Sequence, residues 1–242
     1  MKELIKGNKV SLIIVLLFSI VFNFLGLFFH HINTTNDLIS FTYGYVDLWH
    51  VNNVFSIIRW LLPQLILLVY LGNYIEVRLL KNATLIFTRT NKKMKILLQF
   101  ILQLLFIICC FYLLQFMIVL IIGAILGLEL VLNIETMFII MRLILYSFLI
   151  ILTVNSSSIL FKSIYGVYLV LIIQLAMLYI SNLILNWNSY FLVYIPTTNA
   201  LVSLNDNGLG IHNDSSIVYL LILIFIVIII SINIFNKKEV LY

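Results

Sequence analysis

Apolar runs of about 20 residues, separated by short polar stretches, restrict what this chain can fold into more than any other feature. A helix rises about 1.5 Å per residue, so about 20 apolar residues cross a hydrocarbon core of about 30 Å. Six such runs stand out, at roughly 10–29, 57–75, 97–122, 136–154, 164–185 and 217–235. The third is long enough to tilt. Only 10% of residues are charged and 64% are hydrophobic, whereas soluble domains carry about 25% charge. The chain is therefore expected to be an all-α integral membrane protein, one domain over residues 1–242 with six transmembrane helices. The first run reads as a retained helix, not a signal peptide. It exceeds a usual signal core, and FFHHINTTND follows it without a small-residue cleavage site. Two Pro residues in the whole chain leave room for long helices.

Charge then orients the spans. Lys2, Lys6 and Lys9 precede the first run. Arg78, Lys81, Arg89, Lys92, Lys93 and Lys95 lie around the loop between the second and third. Lys162 follows the fourth, and Lys237 and Lys238 follow the sixth. Together these are 12 of the 14 positive residues, all on one side. The opposite loops, roughly 30–56, 123–135 and 186–216, contain no Lys or Arg. They hold Asp37, Asp47, Glu129, Glu135, Asp206 and Asp214, and all four His residues. Positive loops stay cytoplasmic, so both termini are expected in the cytoplasm of a cell-membrane protein. The remaining cations, Arg59 and Arg142, fall near the outer ends of the second and fourth runs and are expected to snorkel to the interface.

Little in the spans suggests reaction chemistry. There is no HExxH, no GxSxG and no GxxxxGK[ST], so zinc hydrolysis, a serine elbow and nucleotide binding through a P-loop are not expected of this chain. No metal or other cofactor is expected either: His30-His31 has no third ligand at helical spacing, and Cys109-Cys110 reads as a pair of small hydrophobes. Without an acid deep in any span, a proton-coupled carrier is disfavoured. Ser156, Ser157 and Ser158 read as a helix end or as polar packing between helices. Gln64, Asn73, Gln99, Gln103 and Gln174 sit among apolar residues. Such groups usually bond across helices for about 0.6 kcal/mol each. A second reading makes these five the lining of a weakly polar substrate path.

The stretch YIEVRLLKNATLIFTRTNKKMKI, residues 74–96, encloses apolar Leu85-Ile86-Phe87 between basic groups. That pattern suits a short helix at the membrane surface. In the loop before the sixth run, WNSYFLVYIPTTNALVSL is too short and interrupted to span, and suits either an aromatic loop or a re-entrant segment before the last helix.

This layout resembles the ABC-2 type permeases, the membrane halves of ATP-driven exporters, and most of all the small stand-alone permeases of antimicrobial-peptide export and immunity. The resemblance covers the whole chain in layout and rests in residues on 76–95 and, more weakly, 186–200. It implies that the loop between the second and third spans is a coupling helix docking on an ATPase, with Glu76, Arg78, Leu85, Ile86, Phe87, Arg89, Lys92 and Lys93 as contacts. It also implies a re-entrant segment at about 187–204. The implied partners are a cytoplasmic ATP-binding subunit, which would carry ATP and Mg, and a second permease copy or paralogue, within a lipid membrane and without nucleic acid. The substrate expected is an amphipathic peptide or a lipid-like compound. The competing reading is a peptide-binding immunity or scaffold protein without ATP coupling.

Overall fold

The computed structural model describes residues 21, 33–44, 46, 54–81, 93–131, 133–159, 161, 163–201 and 212–237. Five helical stretches among them are long and apolar enough to cross a membrane: Val54–Leu79, Met94–Leu126, Ile134–Ser158, Ser163–Trp187 and Asn213–Phe235. This marks a multi-pass membrane protein, and no β-strand occurs among the described residues. The run at 10–29 lies almost wholly outside them. Each of the other five runs continues as helix two to four residues past its hydropathic limits at almost every end. The reason is local, since interfacial polar residues such as Asn213 and Asp214 keep helical geometry.

In chain order, α1 is Thr35–Ile39, followed by a π-helical turn over Ser40–Gly44. Helices α2 (Val54–Leu71) and α3 (Tyr74–Lys81) form the second run, broken at Gly72-Asn73. Then come α4 (Lys93–Leu126), α5 (Ile134–Ser158) and α6 (Ser163–Trp187). A 3₁₀ turn, Ser189–Tyr194, leads into α7 (Pro196–Ala200), and α8 (Asn213–Lys237) ends the described chain.

The centre of the bundle is α5. In its most apolar stretch 72% is buried inside the protein, against 56% for the second span and 17–28% for the others. Leu143, Ile151, Leu152 and Val154 on α5 are fully enclosed. The outward faces of α4, α6 and α8 carry exposed Leu, Ile, Phe and Tyr, as lipid contact requires. Two ends can be distinguished by sequence. The basic end contains the α2–α3 break, the start of α4, the α5–α6 junction and the end of α8. The acidic end contains α1, the α4–α5 turn, α7 and the start of α8.

At the acidic end, α4 stops at Gly127, whose φ of +70° favours glycine. Leu128 N–H bonds Gly123 O at 2.9 Å and Gly127 N–H bonds Ala124 O at 3.4 Å, closing the orphan carbonyls. The chain before the second span folds back here. Thr34 caps α1 reciprocally with Asp37. Thr35 N–H bonds Glu129 O at 3.0 Å, Glu129 N–H bonds Asn33 O at 3.1 Å, and Val131 N–H bonds the Thr35 hydroxyl at 3.1 Å. The Thr35 methyl fills the space left by Gly123. So 33–44 forms a plug over α4 and α5, with Leu38, Ile39 and Tyr43 buried.

Arg59 and Arg142 do not snorkel. They are only 7% and 1% exposed. Position 142 faces inward because α5 is covered on nearly all sides, which helix-end position alone does not reveal.

Candidate functional site

Residues 155–158, NSSS, end α5. Hydroxyls in apolar surroundings need acceptors. Here Ser156 bonds back to Leu152 O at 2.7 Å, Ser157 to Val154 O at 2.8 Å, and Ser158 to Asn155 O at 2.8 Å. The same side chains face different neighbours. The Ser156 hydroxyl meets the Ser231 hydroxyl of α8 at 2.5 Å. The Ser157 hydroxyl occupies the notch made by Gly166 of α6, where any Cβ would collide with it. Polar packing between helices, one of the two readings of this serine run, is what Ser156 and Ser157 provide.

Asn155 faces the second span. It is fully buried. Its Oδ1 accepts from Ile75 N–H at 2.9 Å, and its Nδ2 donates to Leu71 O at 2.7 Å and to Ile151 O at 2.9 Å. In an unbroken helix, Ile75 N–H would bond Leu71 O itself. The carboxamide therefore stands inside that rung, an established cause of a sharp kink. Gly72 suits the break because a Cβ there would lie 2.6 Å from Leu68 O and 3.1 Å from a Val167 methyl. On its other side α3 is held by Tyr74, whose hydroxyl donates to Gln103 Oε1 at 2.8 Å.

Of the proposed coupling residues, Glu76 and Arg78 are half-buried on α3. The Arg78 guanidinium lies 5.4 Å from the Tyr74 ring centroid, a cation–π distance. Lys93 opens α4. Leu85, Ile86, Phe87, Arg89 and Lys92 lie outside the described residues, as does the surface helix expected there.

The five path residues do not converge. Asn73, Gln99 and Gln103 are exposed. Gln64 and Gln174 are buried and joined, with Gln174 Nε2 donating to Gln64 Oε1 at 2.7 Å and to the Tyr146 hydroxyl at 3.3 Å. Gln64 Nε2 bonds Trp60 O at 3.3 Å. That carbonyl only accepts, so it fixes the direction of both amides. Trp60 stacks on Tyr146 with ring centroids 5.6 Å apart. This cluster ties α2, α5 and α6 near mid-bundle.

At the acidic end, the Tyr43 hydroxyl donates to Gln115 Oε1 at 2.8 Å, and Tyr112 pairs with Ser147 at 2.6 Å. Between them is a cavity of about 10 Å³, lined by Tyr43, Tyr112, Gln115 and Phe116 among others. That is about the room one water needs. Farther round, α7 is enclosed. Thr197, Thr198 and Asn199 are fully buried, and the turn before it is held by the Tyr219 hydroxyl on Tyr194 O at 2.5 Å. Cys109 and Cys110 are free thiols, Cys110 exposed on α4. Among the described residues no three His, Cys, Asp or Glu are placed to share a metal.

Sequence reasoning missed Asn155, Tyr74, Tyr146 and Ser231. The available signal was an Asn directly before three Ser at the end of an apolar run, together with a Gly-Asn pair inside another. No protein family matches the chain, and neither a curated protein nor a solved structure does.

Proposed function

We propose that this chain is the permease subunit of an ABC transporter of the ABC-2 type. It would have six spans with both termini in the cytoplasm of the cell membrane, and a separate ATP-binding subunit would energise it. The observation that carries this reading is the second span. Its last helix, α3, is set off by a break, tied to the central helix α5, and followed directly by the most basic stretch of the chain. A docking surface for a cytoplasmic motor needs such a connection, since displacement there must reach the bundle. In this account Glu76, Arg78, Leu85, Ile86, Phe87, Arg89, Lys92 and Lys93 meet the ATPase, which holds ATP and Mg. The segment 187–204, with its enclosed α7, is the re-entrant element before the last span. A second permease copy or paralogue completes the path for an amphipathic peptide or lipid-like compound.

The closed Gln64–Gln174 pair favours the competing reading, an immunity or scaffold protein that binds a peptide without ATP. Phe87→Ala and Arg89→Ala separate the two. Under ATP coupling these variants insert normally yet lose resistance to, or export of, the cognate compound. Truncating a buried anchor at an interface costs about 2 kcal/mol or more, equivalent to docking weakened more than about tenfold. Mild detergent extraction of the parent should bring an ATPase subunit with it. Full activity of both variants, and of the parent in cells lacking such an ATPase, would establish the immunity reading.

A further inference from the structure

The broken rung at Leu71–Ile75 has a second way to be satisfied. The helix closes again on either side of the break, with Gly72 N–H on Leu68 O at 2.8 Å and Val77 N–H on Asn73 O at 3.0 Å. Withdrawing the Asn155 carboxamide would leave Ile75 N–H and Leu71 O in helical register, four residues apart, able to bond each other. Asn155 would keep its Nδ2 bond to Ile151 O, within its own helix. Both arrangements therefore satisfy Ile75 N–H and Leu71 O, as a membrane interior demands. Withdrawal costs Asn155 Oδ1 its donor, while fusion lets the other open rungs at the break close as well.

We propose that Asn155 is a removable rung. Inserted, it bends the second span at Gly72-Asn73 and tethers α3 to α5. Withdrawn, it lets α2 and α3 fuse into one straight helix, and α3 swings away from α5 with the basic stretch that follows. Asn155 is thus the positioning residue of a two-state element. Its use in transport rests on the reading above, but the two states are a property of this chain alone.

The α2–α3 surroundings fit a moving part. Asn73, at the break, is exposed, so straightening buries no new polar side chain there. Across α3 from Asn155, Tyr74 reaches Gln103, itself exposed, so this second tether ends on a side chain free to follow. By contrast, Ser156 and Ser157 beside Asn155 fasten α5 to α8 and α6, which leaves α5 as the fixed post.

Spin labels at Val77→Cys on α3 and Phe161→Cys beyond α5 measure the swing. Both positions are exposed, and the full chain would be reconstituted in nanodiscs with Cys109 and Cys110 replaced by Ser. α3 has eight residues, about 12 Å of helix, so removing a kink of about 20° moves its far end about 4 Å. Asn155→Leu, of similar size and without a carboxamide, should move the main distance by that amount. Asn73→Leu leaves Asn155 in place and favours helix at the break. It should populate the same new distance in part. If Asn155→Leu does not fold, Asn73→Leu decides alone. Distances unchanged to about 1 Å in the folded variants would overturn the rung. Because the readout lies within one chain, a shift supports the rung even if no ATPase partner exists, and the partner is tested by co-extraction instead.

Discussion

The two ends of the bundle are fastened by different means. At the acidic end main-chain groups do much of the holding: Thr35 and Glu129 bond backbone to backbone, and Asn33 joins them. At the basic end the links run through side chains of α5, one neighbour to each of Asn155, Ser156 and Ser157. Main-chain bonds survive most substitutions, whereas side-chain bonds vanish with one. A chain built this way makes its acidic end less dependent on single hydrogen-bonding side chains than its basic end.

The widest separation between the ends should come from their two glycine notches. Gly166→Leu drives a side chain into the Ser157 hydroxyl and toward Val154 O, 3.4 Å from its Cβ. The clash falls on α5, the most enclosed span, so a loss of about 1–3 kcal/mol is expected, read by unfolding in mixed detergent micelles. Gly123→Leu meets Thr35 of the plug first, with Leu128 Cβ the next atom at 3.9 Å. There the plug should lift, stability should change by less than about 1 kcal/mol, and thiol labelling of Asn36→Cys in the detergent-solubilised protein should quicken. Equal losses at both sites would erase the contrast.

The mid-bundle cluster provides the next measurement. Gln174→Leu alone leaves the buried Gln64 Oε1 without its donor and should cost about 1–3 kcal/mol, while Gln64→Leu with Gln174→Leu should recover much of it. Additive losses would show that the pair is not coupled. The smallest effect is expected for Ser156→Ala. Its hydroxyl mostly serves its own helix at Leu152 O, so about 0.6 kcal/mol or less should be lost. A loss above about 2 kcal/mol would make the α5–α8 contact the principal fastening of the basic end.

Apolar run length made five spans legible, because hydrocarbon leaves a helix little alternative. Helix ends were less so, since hydropathy falls before the hydrogen-bond ladder does. The breaks were the hardest to read. Pro63, an obvious breaker, sits inside a continuous α2, while the real interruption falls at Gly72-Asn73 without a Pro. What breaks the rung is a side chain 80 residues away, and no local pattern encodes it. Arg142 was misplaced for the same reason: its register on α5 is set by which helix became central. Of the candidate site, the polar run at 156–158 was visible as packing, but its partners Ser231 and Gly166 come from separate helices.

The length of α4 carries a consequence for the lipid around the protein. Its apolar run, residues 97–122, measures about 39 Å, against about 30 Å of hydrocarbon. Holding it within that slab requires a lean of about 40°, the upper end of the usual range of 0–40°. Leu102, Phe106, Leu113, Met117 and Ile121, exposed along much of this length, would otherwise meet water. At any smaller lean the bilayer has to stretch to meet the helix. An elastic sheet so deformed gathers longer acyl chains at that rim, and a thicker membrane relaxes it. The surrounding lipid thereby becomes a load on one flank of the molecule, and bilayer thickness a variable its conformations must answer to.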